Sequence, residues 1–153
     1  MEPDPDAAIS FLRQLHPGAP WQTIIAIIPD GDTTTRSFTN ADDAGVFITN
    51  RNIAENIYFS PNRTKAPMDK KAKKSDIALI LFIFADLDPR DGESPEQAKS
   101  RYLAAINTYP LKATAVVDSG GGIQVFWRLT VPLGPEYTAR VEATPCAETP
   151  SAC

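Results

Sequence analysis

The spacing of apolar and polar positions predicts short helices and strands in the first half of the chain. Apolar residues recur at three- and four-residue intervals over 8–15, which is typical of an amphipathic helix, and Pro17 follows where that helix should end. Asn40 stands where it can cap a second helix. β-branched and aromatic residues dominate three further segments. The elements predicted from this pattern are a helix over 8–15, a hairpin of strands over 21–28 and 33–38, a helix over 41–50 and a strand over 56–60.

The second half of the chain is organised around the longest apolar run, 77–84. This run is far shorter than the roughly 20 apolar residues that span a bilayer, and it predicts a central strand covered on both faces. Ser94, Pro95 and Gln97 predict a helix start, because Ser is a preferred N-cap, Pro suits the first helical position and Gln can close a capping box. The predicted elements are a strand over 77–87, a helix over 95–108, and strands over 113–118 and 123–130 joined through 119–122.

Composition predicts one compact domain, and the mixture of predicted helices and strands makes its class α+β. The chain has 153 residues, of which 42% are hydrophobic and 22% charged, so it can bury a core but is small for two stable domains. From Ala143 onward no large apolar residue occurs, and both cysteines, Cys146 and Cys153, lie there. We therefore expect a folded domain over 1–142 and a disordered tail with free thiols over 143–153.

The charge pattern limits the possible partners. A formal net charge of -4 argues against a protein that coats nucleic acid by bulk electrostatics. The acidic N-terminal sequence MEPDPD lacks the basic region of a signal peptide, so a cytoplasmic protein with no membrane partner is expected. One locally basic segment is a candidate for binding nucleic-acid phosphates, and a solvated loop is an equally good interpretation. Its basic residues are Arg63, Lys65, Lys70, Lys71, Lys73 and Lys74.

Two aspartates at the end of the predicted central strand are the main candidates for chemistry. Asp86 and Asp88 stand two positions apart, so their side chains should emerge on one face, about 7 Å apart at their origins. Two carboxylates at this distance repel each other by about 2 to 3 kcal/mol at an effective dielectric constant of about 20, which a cation would offset. Mg²⁺ and Mn²⁺ prefer carboxylate oxygens and support phosphoryl transfer. The pair is predicted to be the metal-binding and catalytic centre of a nucleotidyl transfer; a solvated turn at a strand end is the alternative.

A glycine-rich turn is the candidate nucleotide site. Ser119, Gly120 and Gly121 could bring a hydroxyl group and backbone amides close to a phosphate. On the strand that follows, Gln124 and Arg128 share one face, where the amide could hydrogen-bond a sugar or phosphate and the guanidinium could bind a triphosphate. An ordinary hairpin turn before a half-buried strand is an equally good interpretation.

Four linked motifs stand along the chain: NIYFSPN at 56–62, KKAKKSDI at 70–77, FADLDPRDG at 84–92 and VVDSGGGIQVFWRL at 116–129. In their order and spacing they resemble the motifs of archaeo-eukaryotic-type primase-polymerases, in the plasmid- and phage-associated RepB-like branch. The resemblance covers about residues 8–133. It implies a catalytic core similar to an RNA-recognition fold, with an N-terminal αβ unit and a mixed or antiparallel sheet with helices. It also implies that Asp86 and Asp88 are the ligands of Mg²⁺ or Mn²⁺.

The same resemblance implies a DNA primase or polymerase. Members of this family make or extend primers from nucleoside triphosphates on a DNA template, usually for a plasmid, a phage or an integrated element. The partners implied are the DNA template, nucleoside triphosphates, and a helicase or replication-initiation protein.

Two features depart from the family pattern. Gln124 stands where a nucleotide-contacting histidine is common, and it keeps a hydrogen-bonding group without a positive charge. The family's third acidic ligand lies on a later strand, whereas this chain changes character after Val141 and is expected to be incomplete at its C-terminal end. Asp118 precedes the glycine-rich turn and does not match that third position. The alternative function is therefore a catalytically inactive remnant that retains nucleic-acid or nucleotide binding.

A third interpretation is an RNA-binding module of similar topology, which would need aromatic residues on an exposed sheet face. The paired acids argue against it, because carboxylates repel a phosphate backbone unless a cation intervenes. For the single histidine, His16, a solvated position at a helix end is expected, and Trp21 and Trp127 are expected to anchor the core.

Overall fold

The computed structural model describes residues 4–143. The protein is of the α+β class, and its strands form two sheets. The chain divides into two compact units, Met1–Ala78 and Leu79–Cys153. The boundary between the units falls within one strand. The predicted α+β class is confirmed, and the single primase-polymerase domain over 1–142 stays a prediction. The predicted tail, with Cys146 and Cys153, lies almost entirely outside the described residues.

The first unit carries a three-stranded antiparallel sheet with the strand order β2-β1-β3. The sheet and helices bury a single apolar cluster, in which Ile24 and Ala26 on the central strand are fully buried. Burial of a side chain the size of Ile24 contributes about 1.5 to 3 kcal/mol. The elements of this unit are α1 (Pro5–Leu15), β1 (Gln22–Ile27), β2 (Thr33–Phe38), α2 (Ala41–Arg51), β3 (Asn56–Phe59), β4 (Arg63–Thr64) and a 3₁₀ turn (Lys74–Asp76).

Helix starts in this unit follow from local capping. Asn40 caps α2 as predicted, and its Oδ1 accepts a hydrogen bond from the Asp43 amide at 2.8 Å. Helix α1 begins earlier than the apolar spacing predicts. Asp4 is its N-cap, and Pro5 occupies the first turn, where proline lacks only an amide that would be unpaired anyway.

The expected solvated position of His16 is wrong. The residue caps the end of α1, but it is only 8% exposed. Its Nδ1 lies 3.1 Å from Oε1 of Gln22, and its Nε2 lies 2.9 Å from the carbonyl oxygen of Pro61. The imidazole therefore joins the end of α1 to β1 and to the segment after β3. Both polar partners explain why a histidine is tolerated at this burial.

The second unit is built on a long antiparallel pair, β5 (Ile77–Leu87) and β7 (Ile123–Leu133), with β6 (Ala115–Asp118) on the other side of β7. Within this unit the strand order is β5-β7-β6. Helix α3 (Pro95–Thr108) begins with the predicted capping box, in which Ser94 and Gln97 bond each other's backbone amides. A 3₁₀ turn (Pro135–Tyr137) and a short helix, α4 (Thr138–Ala143), follow β7.

Strand β5 has the predicted bounds, but the expected cover on both faces is wrong. Ile80 and Phe82 are buried, whereas Ile83 is 38% exposed and Phe84 is 49% exposed. Strand β7 is three residues longer than predicted, since it continues through Pro132. The proline is accommodated because the pairing of β5 with β7 is irregular between Ile80 and Phe82.

Candidate nucleotide and metal site

The end of β5 brings Asp86 directly beside Gln124. These two residues are opposite each other in the antiparallel register, so their side chains lie on the same face. Nε2 of Gln124 donates a long hydrogen bond of 3.5 Å to Oδ2 of Asp86. Asp86 is exposed and Gln124 is half-buried. The structure therefore places the predicted metal ligand and the predicted nucleotide-contacting residue in one location.

Asp88 follows the last residue of β5 and lies close to the start of β7. A Cβ atom built on Gly122 would be 3.3 Å from Oδ1 of Asp88 and would overlap the carbonyl oxygen of Leu87. Gly122 itself is buried. Only a residue without a side chain allows the two backbones to approach this closely. Gly122 therefore sets the position of Asp88 relative to β7, a role that the glycine-rich pattern alone did not reveal.

The glycine-rich turn uses most of its backbone donors internally. The Gly120 amide donates to Oδ1 of Asp118 at 2.8 Å, and the Gly122 amide donates to Oγ of Ser119 at 3.1 Å. Gly120 has a φ of +89°, which favours glycine. In this turn, the Gly121 amide and the Ser119 hydroxyl proton are the groups left for a phosphate. The turn adjoins the aspartates as expected, but in this conformation it offers fewer donors than a phosphate cradle would.

Asp118 is held by an ion pair with helix α3. Nζ of Lys99 lies 2.8 Å from Oδ1 of Asp118, and the hydrogen bond from Lys99, followed by that from the Gly120 amide, lowers the pKa of this carboxyl. Asp118 precedes the turn on β6 and is engaged by these partners. Asp118 therefore braces the turn through these two contacts.

Arg128 shares the face of Gln124 but lies further along β7. It is opposite Phe82 in the register, and its guanidinium carbon lies 5.4 Å from the centre of the Phe82 ring. Arg128 and Gln124 are four positions apart along the strand, which corresponds to about 14 Å. The structure thus keeps Arg128 on the same sheet face but does not bring its backbone beside Asp86.

Helix α3 clamps the loop that carries Asp88. The hydroxyl group of Tyr102 donates to the carbonyl oxygen of Asp88 at 3.0 Å. The preceding residue, Arg101, binds both carboxylate oxygens of Glu93, at 2.8 and 2.6 Å, and its guanidinium lies 4.0 Å from the centre of the Tyr102 ring. Glu93 also accepts a hydrogen bond from the Arg90 amide. The sequence did not reveal these contacts, because an acid just before a helix and a base eight positions later have no recognisable spacing.

This clamp should give the second unit a distinct acid response. The hydrogen bond from Arg101 lowers the pKa of Glu93 from 4.5 to about 2. A carboxyl group with a lowered pKa stabilises the fold above its unfolded value, and that contribution is lost as the pH falls from about 4.5 towards 2. Thermal unfolding of the chain should show this loss, and Glu93→Gln should lack it. Glu96→Gln, which removes an exposed carboxylate of α3, should retain it. An identical acid response in both variants would contradict the clamp.

The basic segment belongs to the first unit. Arg63 is half-buried on β4, and the five lysines that follow are exposed: Lys65, Lys70, Lys71, Lys73 and Lys74. The segment is anchored at its ends, where the Lys65 amide donates to the Asp76 carbonyl oxygen and the Lys73 amide donates to the Asp76 carboxylate. The exposed ammonium groups are compatible with phosphate binding and with a solvated loop alike.

Larger clusters of metal-ligating side chains and membrane-spanning helices are both absent from residues 4–143. No group of three or more His, Cys, Asp or Glu side chains in this range could hold a metal ion. No helix in the same range is long and apolar enough to cross a membrane. A cavity of about 580 Å³ lies in the first unit, between β2 and α2, and none of the predicted site residues line it.

Comparison with known proteins adds no assignment. The chain matches no protein-family model, no curated protein and no solved structure. The resemblance to primase-polymerases stays a prediction that depends on the four motifs and their order.

Proposed function

We propose that the end of β5 and the start of β7 bind a nucleoside triphosphate together with Mg²⁺ or Mn²⁺, for nucleotidyl transfer of the primase-polymerase type on a DNA template. Replication of a plasmid, a phage or an integrated element is the proposed setting. The observation that carries the proposal is the direct pairing of Asp86 with Gln124, with Asp88 two residues further on. An acid that favours a cation and an amide that can bond a nucleotide thus share one sheet face.

The donor set suits one hard divalent ion. Mg²⁺ is usually bound through one or two carboxylates, and substrate phosphates and water complete its shell. Asp86 and Asp88 are exposed carboxylates at a strand end and can serve in this way. Such an ion would neutralise charge on the phosphates during transfer. A fixed pair of ions normally needs more anionic ligands, and residues 4–143 offer no group of three.

The other residues of the site have defined tasks under this proposal. Gln124 orients the Asp86 carboxylate and can turn its amide towards a sugar or phosphate. The Gly121 amide and the Ser119 hydroxyl can donate to a phosphate oxygen. Tyr102 holds the backbone of Asp88 in place. Positioning of this kind is the main contribution a protein makes to phosphoryl transfer.

Removing either carboxylate should weaken cation-dependent nucleotide binding. Asp86→Asn and Asp88→Asn are each expected to weaken Mn²⁺ and dATP affinity at least about tenfold, which corresponds to about 1.4 kcal/mol. Isothermal titration with Mn²⁺, and with dATP in the presence of Mn²⁺, measures both. Asp32→Asn, which removes an exposed carboxylate from the β1–β2 turn, is the charge-matched control and should bind as the parent does. Unchanged binding in both site variants would refute the proposal.

The second candidate is a nucleic-acid-binding protein without transfer activity. The observation that favours it is the set of five exposed lysines between 65 and 74. Each phosphate contact releases counterions, so the logarithm of affinity should fall with that of salt concentration by about 0.9 per contact. Salt-sensitive binding of DNA that persists in Asp86→Asn, together with no response to Mn²⁺, would select this candidate over the first.

A further inference from the structure

Phe84 is an exposed aromatic residue in the middle of the sheet face that carries the candidate site. It is 49% exposed, although it belongs to an eleven-residue strand whose neighbours Ile80 and Phe82 are buried. Phe126 lies opposite it in the register, and the two rings stack with their centres 5.9 Å apart at 29°. An aromatic ring with this exposure costs hydrophobic free energy unless a ligand covers it.

Polar groups flank Phe84 at both ends along the strands. Asp86 and Gln124 form the next pair on the same face in one direction, and Phe82 with Arg128 forms the next pair in the other. Each pair is about 7 Å from Phe84 along the strand. We define the Phe84 face by these three register pairs: Phe82–Arg128, Phe84–Phe126 and Asp86–Gln124.

We propose that the Phe84 face binds a nucleobase, which stacks on the Phe84 ring, and that Arg128 binds a phosphate attached to the same nucleotide or to its neighbour. A nucleobase has an apolar π-surface and polar edges, so it matches a ring bordered by an amide and a guanidinium. Stacking of bases on aromatic residues of an exposed sheet is a general mode of single-strand recognition. An apolar protein partner fits less well, because it would bury the charges of Asp86 and Arg128 without compensation.

This inference deepens the proposed function by naming the base contact at the same site, but it does not depend on a metal ion. Stacking needs no cation, and Arg128 is a fixed positive charge. The nucleobase can come from a free nucleotide or from a nucleic-acid strand. Both carry the same base and phosphate chemistry, and two arms of the experiment separate them.

The test compares ligands with and without a base. ATP, a fluorescent single-stranded oligo-dT and inorganic tripolyphosphate are titrated into the chain in EDTA and again with Mg²⁺. Phe84→Ala is expected to weaken ATP or oligo-dT binding by about five- to hundredfold in both buffers, and to leave tripolyphosphate binding unchanged. If only ATP binding is weakened, the ligand is a free nucleotide. If only oligo-dT binding is weakened, the ligand is a nucleic-acid strand.

Three variants separate stacking from folding. Phe84→Leu keeps the apolar volume without the ring and should bind the base-containing ligands as weakly as Phe84→Ala does. Phe84→Tyr keeps an aromatic ring and should bind them as the parent does. Ile83→Ala alters an adjacent residue of similar exposure, 38%, on the opposite face and should bind as the parent does. Circular dichroism of each variant verifies the fold.

Several outcomes would overturn the inference. One is binding of ATP or oligo-dT by Phe84→Leu as tight as that of the parent. Another is a weakening of tripolyphosphate binding in Phe84→Ala equal to that of ATP or oligo-dT. The third is failure of the parent chain to bind either base-containing ligand in either buffer. Self-association of the parent that Phe84→Ala abolishes, with unchanged nucleotide affinity, would assign the face to a protein contact instead. Failure of the proposed function has a different signature, because Asp86→Asn would then leave Mn²⁺ affinity unchanged.

Discussion

Gly122→Ala is expected to destabilise the second unit by about 2 to 4 kcal/mol. The added Cβ would overlap the carbonyl oxygen of Leu87 and lie 3.2 Å from its carbonyl carbon and 3.3 Å from Oδ1 of Asp88. The nearest obstacle is backbone, which cannot rotate away as a flexible side chain would. Relief therefore requires the end of β5 to separate from the start of β7, which displaces Asp88 as well.

Urea unfolding can resolve this effect in the second unit. Each unit contains one tryptophan, Trp21 in the first and Trp127 in the second, so Trp127 fluorescence in a Trp21→Phe background reports on the unit that carries Gly122. Gly121→Ala is the matched control, because a Cβ at that position meets nothing within 4 Å. It should unfold within about 0.5 kcal/mol of the parent. Equal stability of the two variants would show that the strand ends are not held as close as the structure has them.

Element positions were predictable wherever local signals agreed. Strand β5 and helix α3 have the predicted bounds, Ile77–Leu87 and Pro95–Thr108, because a long apolar run and a complete capping box leave little ambiguity. Helix α1 begins earlier than the apolar spacing predicts, since Asp4 caps the helix ahead of its first apolar residue. Helix α4 was missed because its six residues show too little periodicity to be recognised.

Pairwise tertiary contacts were harder to predict. The alternation along β7 correctly put Gln124 and Arg128 on one face, since alternation is a property of any strand. Which residues of β5 they oppose depends on register, which is set by the whole β5–β7 connection and not by either strand alone. For this reason the sequence could predict only that Gln124 lies near Asp86, and not that the two residues are paired. It could not predict the distance between Arg128 and Asp86.

Burial was the least predictable property. A continuous apolar run predicts cover on both faces of β5, but Phe84 and Ile83 are substantially exposed. Conversely, His16 was expected in solvent and is buried between two hydrogen-bond partners. The chemistry of a side chain determines whether burial or solvent is favourable for it. Its actual exposure depends on which other parts of the chain pack against it. The exposure of the Phe84 ring beside the candidate site could therefore be seen only in the structure.

A third carboxylate beside Asp86 should convert the candidate site into a stronger cation site. Gln124 already has its Nε2 3.5 Å from Oδ2 of Asp86, so Gln124→Glu would place an acid of the same length at that point. Without a divalent ion, like-charge repulsion should destabilise the second unit by about 1 kcal/mol, reduced from the unscreened value because the site is exposed.

With a divalent ion, the sign of the effect should reverse. Three carboxylates attract a hard cation more strongly than two, so Mn²⁺ affinity is expected to rise at least about tenfold, and saturating Mn²⁺ should stabilise the variant more than the parent. Titration calorimetry and urea unfolding with and without Mn²⁺ measure these changes. Gln14→Glu, which adds the same charge on α1, is the control and should change neither.

The same variant connects cation binding to nucleotidyl transfer. If two carboxylates limit the parent chain to a single loosely held ion, primer extension by the parent on a DNA template should be weak, and Gln124→Glu should raise it in Mn²⁺. Adding Asp86→Asn to the variant should remove the gain, because the new acid acts together with Asp86. Strong incorporation by the parent, abolished by Asp86→Ala and not increased by Gln124→Glu, would show that the parent site needs no further acid. Unchanged Mn²⁺ affinity in Gln124→Glu would instead show that Asp86 and residue 124 do not form a cation site.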